Sequence, residues 1–145
     1  MPPPPTFRDG IAQFNQGEFY DCHDTLEAIW MTADIPDKPF YQGILQIAVA
    51  LYHLSNHNWR GAAILFGEGS RRLEPYEPTY YGINVTDLLD RAAEWLIALQ
   101  ELGPEQVAQV ATALIPPQAP EMLSEADSSP RAVALQLPSP QILPS

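Results

Sequence analysis

Two side chains in one stretch have the types and spacing to do chemistry. In residues 14–30, FNQGEFYDCHDTLEAIW, His23 and Glu27 stand four positions apart. A helix would turn both to one face, where they can share a ligand or hydrogen-bond each other. At 3.6 residues per turn Phe19, His23, Leu26 and Trp30 also share a face, which sets an imidazole into an apolar stripe. Further along, Gln42, Gln46 and His53 fall on one side of a second apolar segment. The expectation is an interior polar cluster between two helices, built from His23, Glu27, Gln42, Gln46, His53 and Trp30, with Asp24 and Tyr20 at its rim.

Three chemistries fit that set. Two imidazoles and a carboxylate can hold Zn²⁺, Fe²⁺ or Mn²⁺ if His53 lies across from His23. A carboxylate oriented by a histidine can instead act as a general base near neutral pH. The third reading is structural: buried polar groups are costly unless paired, and paired networks fix helix register in many cores. HxxxE with one remote histidine is a far weaker metal signal than HExxH, so the structural network is preferred and a pocket for a ligand or partner comes second. A metal-dependent hydrolase using His23, Glu27 and His53 is the alternative. The cofactor is left unknown, and enzyme activity is left open. Cys22 adjoins His23, but neighbouring helix positions diverge by 100°, so it reads as a buried thiol rather than a nucleophile. Gly67-Glu68-Gly69 lacks both the glycines and the preceding strand of a phosphate loop.

The elements that would position these residues are helical. Thr6 followed by Asp9 supports a helix start, and Phe7, Ile11 and Phe14 recur at helical spacing up to a turn at Asn15-Gln16-Gly17. A second helix is expected over 18–32, ended by Ile35-Pro36-Asp37-Lys38-Pro39. The third, over 40–55, carries the stripe Phe40, Ile44, Ile47, Leu51 and Leu54. Its opposite side is uncharged, so it belongs at the centre, with Gly43 and Ala50 admitting a close neighbour. Asn58 is the expected N-cap of a fourth helix over 59–73. EPYEPTYYG at 74–82 reads as a packed loop, Asn84 with Asp87 opens a fifth helix, and Gly103-Pro104 separates it from a short sixth ending near Leu114. Asn15 and Asn56 open matching turns about one helical repeat apart, which gives the hairpins a tetratricopeptide-like character. Two copies are too few for a solenoid, so a compact all-α bundle of five or six helices is expected.

Composition bounds the rest. With 145 residues there is room for one domain, expected over 6–115. Residues 1–5 form a proline leader, and 116–145, rich in proline and serine, are expected to be a disordered tail whose 132–137 and 142–143 patches could dock on a partner or on the domain. The net charge of −11, from 18 acidic residues against 7 Lys plus Arg, argues against nucleic acid or an anionic membrane as a partner. One cysteine permits no internal disulfide, and nothing resembles a secretory signal or a membrane span, so a cytoplasmic protein is expected.

Two long motifs carry a resemblance. Phe14-Asn15-x-Gly17-x-Phe19-Tyr20-x-Cys22-His23-Asp24-x-Leu26-Glu27-x-x-Trp30 is followed in order by Phe40 through His53, then Asn56 and Gly61-Ala62. The pair resembles domain-of-unknown-function family 309 over residues 7–73, a family of small all-helical proteins of bacteria, cyanobacteria and plastids with no assigned role. The resemblance implies an all-α fold and points to the same residues; it implies no reaction. The reading of the whole is a binding or scaffold protein with a protein or small-molecule partner.

Overall fold

The apolar periodicities wind into helices joined by tight turns in a computed structural model that describes residues 3–115 and 137–145. Helix α1 spans Thr6–Asn15, α2 Phe19–Thr32, α3 Lys38–Ser55, α4 Trp59–Leu73, α5 Val85–Leu102 and α6 Val107–Leu114. The expected all-α bundle is therefore present, with one small addition. A two-residue antiparallel pair, β1 (Thr79–Tyr80) and β2 (Ile83–Asn84), lies between α4 and α5. Its connection places Tyr81 at φ 49° and Gly82 at φ 79°, the left-handed pair that a two-residue primed hairpin turn requires. A tyrosine at the first of these positions gives no sequence signal, which is why the hairpin is missed there.

Helix α3 is central, packed between α2 and α4, and α5 closes on α4 from the far side. Phe40, Ile44, Ile47, Leu51 and Leu54 are all fully buried, as their spacing requires. On the side facing α4, the two backbones meet glycine to glycine. A Cβ on Gly43 would come within 2.7 Å of Leu73 Cγ, and one on Gly69 within 2.8 Å of the Gly43 carbonyl. The helix starts earlier than expected because Pro39 occupies its first turn, where a missing N–H costs nothing.

The hairpins α1–α2 and α3–α4 turn in the same way. The Glu18 amide reaches the Gln13 carbonyl at 2.8 Å and the Asn58 amide reaches His53 O at 2.8 Å, each around a left-handed residue, Gly17 or His57. The equivalent positions are thus Gln16 and Asn56, so the pairing of Asn15 with Asn56 is one residue out of register. Asn58 and Asn84 cap α4 and α5 as expected, accepting from Gly61 N at 3.0 Å and Asp87 N at 2.9 Å. Thr6 does not cap α1; Pro5 precedes the helix without a side-chain bond.

The expectation of a disordered tail over 116–145 needs correction at its end. Residues 116–136, with most of the 132–137 patch, lie outside the described residues. Residues 137–145 are laid against the domain, with Ile142 2% exposed and Pro144 bridged to Ile83. A buried aliphatic anchor and several backbone hydrogen bonds hold the segment, so the 142–143 patch docks on the domain, one of the two outcomes its sequence left open. Among the described residues, no helix is long and apolar enough to cross a membrane.

Candidate functional site

The core stripe of α2 decides where its polar groups go. Phe19, Cys22, Leu26 and Ile29 are the buried positions, not Phe19, His23, Leu26 and Trp30. Steps of three and four residues can follow a helix face in either order, and the order chosen buries Cys22 and Ile29 in place of an imidazole and an indole. The helix is rotated accordingly. His23 flanks the core, half-buried, while Glu27 is 52% exposed and Asp24 58%. An interior His/Glu/Gln cluster is therefore not formed, and its members divide into separate surroundings.

The first group is His23 with its neighbours. His23 Nδ1 lies 3.3 Å from Asp24 Oδ1, and Nε2 lies 3.9 Å from Glu27 Oε1. Among the described residues, these three bring their ligand atoms within 4.8 Å of one another. His53 is not part of the group, so the expected His23, Glu27 and His53 metal set is not assembled. Beside it, the rings of Tyr20 and His23 are 6.0 Å apart, and Tyr20 reaches across to Tyr52 of α3 at 5.3 Å. Tyr20 is 57% exposed and Tyr52 38%, so an aromatic pair lies open next to two carboxylates.

The polar side of α3 faces α4 rather than α2. Gln46 Nε2 donates to Glu68 Oε1 at 3.2 Å, and Gln46 Oε1 accepts from Arg72 Nε at 3.0 Å. One amide thus answers a carboxylate and a guanidinium from successive turns of the neighbouring helix. His53 meets Asn58 Nδ2 at 3.3 Å and lies over Gly61, where a Cβ would approach its ring to 2.9 Å. Gln42 is half-buried on the same helix. Trp30 turns towards the end of α2, with Lys38 Nζ 4.5 Å over its ring. The same ammonium donates to the Trp30 carbonyl at 2.9 Å, answering one of the orphan acceptors of that helix end. The Trp30 indole N–H is buried without a partner.

A further polar centre has no counterpart in the sequence reading. Asp37, 7% exposed, accepts from Tyr80 Oη through one oxygen and Tyr81 Oη through the other, each at 2.6 Å. Tyr76 Oη donates to Pro36 O at 2.6 Å, and Phe40 and Tyr41 complete an aromatic cluster around the carboxylate. These bonds tie the hairpin to the start of α3. The hydroxyl bonds to Asp37 lead the causes that hold Tyr80 and Tyr81 above the ordinary phenol range. Burial, then the Asp37 charge, pushes Tyr41 up to about 12. Phenols held this firmly protonated are donors, not bases, and the arrangement reads as a structural tie. Its signal lay in EPYEPTYYG, but nothing periodic joins a loop tyrosine to an aspartate 43 residues earlier. Burial likewise pushes the Cys22 thiol up to about 12, so it is no ready nucleophile.

Comparison with known proteins agrees with the motif resemblance. Residues 7–65 match the model of a domain of unknown function, DUF309. Over 74 residues the chain is 34% identical to the uncharacterized protein YpuF of Bacillus subtilis (strain 168), covering 49% of this chain and 42% of YpuF. The chain thus spans less than half the length of that relative. No solved structure matches the chain significantly.

Proposed function

We propose, taking the DUF309 likeness of residues 7–65 as premise, that this chain is a helical binding protein whose recognition face lies on α2 and α3. The observation that supports this is the open Tyr20–Tyr52 pair beside His23, Asp24 and Glu27. Two exposed rings cost free energy in water, and rings flanked by carboxylates suit a cation: the π faces and the anions attract the same guanidinium or ammonium. The net charge of −11 favours approach of a basic partner over the whole surface. The partner class that fits is an arginine- or lysine-bearing polypeptide segment. In this reading Gln46 and His53 bridge α3 to α4 and Trp30 packs with Lys38, so their roles are structural.

A divalent ion at His23, Asp24 and Glu27 is the second reading, favoured by their convergence. Ligands about 2.1 Å from one metal can stand at most about 4.2 Å apart, so a spread of 4.8 Å requires side chains to turn before an ion is held. Titration of an arginine-rich peptide and an acidic control into the full chain, followed by NMR, separates these outcomes. Tyr20→Ala combined with Tyr52→Ala should weaken the basic peptide about 5- to 30-fold, from two cation–π contacts worth roughly 0.5–1 kcal/mol each. Equal binding of both peptides, or full affinity in the double variant, would remove the proposal. Zn²⁺ binding that is lost in His23→Ala would transfer it to the metal.

A further inference from the structure

The segment 137–145 lies in a groove made by α1, the hairpin and α5, and the groove reads its backbone. Trp95 Nε1 donates to Pro138 O at 2.8 Å, and Arg91 Nη1 donates to Ser139 O at 2.7 Å. Asn15 grips Ile142 twice, accepting from its N–H at 2.7 Å and donating to its carbonyl at 3.1 Å. The Asn84 amide takes the Leu143 carbonyl at 2.9 Å, and Gly82 O takes the Ser145 amide at 3.0 Å. Six main-chain groups of the segment are therefore answered by five residues of the domain, while the chain bends at Pro140 and the Gln141 amide bonds back to Ser139 O at 2.9 Å. Pro144 lies opposite Ile83 in antiparallel register, so the segment extends the hairpin edge. Ile142 is the side chain buried in the core, and Leu137 packs against that core half-buried.

This is how a receptor holds a peptide: main-chain bonds supply affinity along an edge strand, and one pocket selects a side chain. The prolines suit it, since they pre-set an extended backbone and carry no N–H that would need an acceptor. Beside Ile142 and Pro144 an open hollow of about 850 Å³ continues between α1 and the hairpin, bordered by Phe7, Arg8 and Ile11. The contact surface on that side is not used up by the resident segment.

We propose that the groove formed by Asn15, Gly82, Asn84, Arg91 and Trp95 is a peptide-recognition site, occupied in cis by residues 137–145 and open in exchange to a partner's segment of the same chemistry. That chemistry is an uncharged, proline-rich segment, bent at the Pro140 position, with an amide side chain at the Gln141 position that donates to Asn15 O at 3.0 Å and a β-branched or aliphatic anchor at the Ile142 position. The residues are separate from the Tyr20–Tyr52 face, so either proposal stands without the other.

The test uses the full chain with its own segment disabled. In Ile142→Asp the aspartate cannot enter the apolar pocket, and a fluorescein-labelled peptide of sequence LPSPQILPS should bind, followed by polarisation. The parent chain should bind it at least ten-fold more weakly, because its own segment competes. Adding Asn15→Ala to Ile142→Asp should cut peptide affinity at least ten-fold, and a peptide with Asp at the Ile position should not bind. If Ile142→Asp loses its helical circular dichroism, Ile142→Ala takes its place. A folded variant that fails to bind the peptide at 1 mM (a ceiling for about −4 kcal/mol) overturns the proposal. A parent chain that dimerises, with the dimer lost in Ile142→Asp, also overturns the partner assignment and makes the groove a site of exchange between copies.

Discussion

Ionising Tyr41 in the folded chain would place a second negative charge in an apolar cluster beside Asp37. The phenol therefore keeps its proton to about pH 12, against 10 for an ordinary tyrosine. Between these values the folded chain holds a proton that the unfolded chain has released, so unfolding gains free energy as pH climbs. The associated stability is whole below pH 10 and lost as pH rises through 12. Tyr76, Tyr80 and Tyr81 are shifted in the same direction, and Cys22 opens the window from 9. The chain should unfold cooperatively in alkali, with circular dichroism and the phenolate absorbance at 295 nm changing together. Tyr41→Phe, which removes the proton but not the ring, should move the alkaline midpoint upward and leave the neutral melting temperature nearly unchanged. A midpoint that stays or falls would show that burial of this hydroxyl is not what opposes ionisation. The buried thiol of Cys22 and the packed loop at 74–82 were legible in the sequence, but the tie itself was not: His23 and Glu27 announce themselves by spacing, whereas Asp37 finds its partners 43 and 44 residues away.

Helix boundaries and the central place of α3 could be read because caps, glycines and apolar steps are local signals. The rotation of α2 about its own axis could not be fixed so firmly. Phe19, Leu26 and the positions between them allow two stripes, and only the better burial of Cys22 and Ile29 over His23 and Trp30 decides. That rotation places Glu27 in solvent and dissolves the expected interior cluster. Close helix contact was better signalled, and α4 tests it within two residues. A Cβ at Gly67 meets nothing within 4 Å, while one at Gly69 would stand 2.8 Å from the Gly43 carbonyl and 2.9 Å from Ile47 Cγ1. Gly67→Ala should stabilise the chain by about 0.5–1 kcal/mol through helix propensity. Gly69→Ala makes the same gain but must separate α3 from α4, so a net loss of roughly 1–2 kcal/mol is expected. Urea melts of the two variants should move in opposite directions. If both are stabilised, the contact of α3 with α4 has slack.

The described residues carry their charge with little internal compensation. Of its 7 Lys plus Arg, several are committed to neutral acceptors: Lys38 to helix carbonyls, Arg72 to Gln46, and Arg91 in part to Ser139 O. Among the described residues Arg91 with Asp87 is the ion pair between a basic and an acidic side chain, histidine aside. Most of the 18 acidic groups lie among the described residues and therefore repel one another across a small body. At 10 mM salt the screening length is about 30 Å, which spans such a domain, and at 1 M it is about 3 Å. Repulsion acts on the compact state more than on the expanded one, so screening should stabilise the fold. Raising sodium chloride from 10 mM to 0.5 M should lift the melting temperature by roughly 4 °C, corresponding to about 1 kcal/mol for a chain of this size. Chloride is the informative anion, because sulfate would add a gain through surface exclusion unrelated to charge. The same rise in salt should weaken a basic peptide at the Tyr20–Tyr52 face and leave the uncharged peptide in the Asn15 groove nearly unaffected. A melting temperature that falls with chloride would mean that attractive pairs outweigh the repulsion. The surface would then be an organised charge network and not the screened anion that its composition describes.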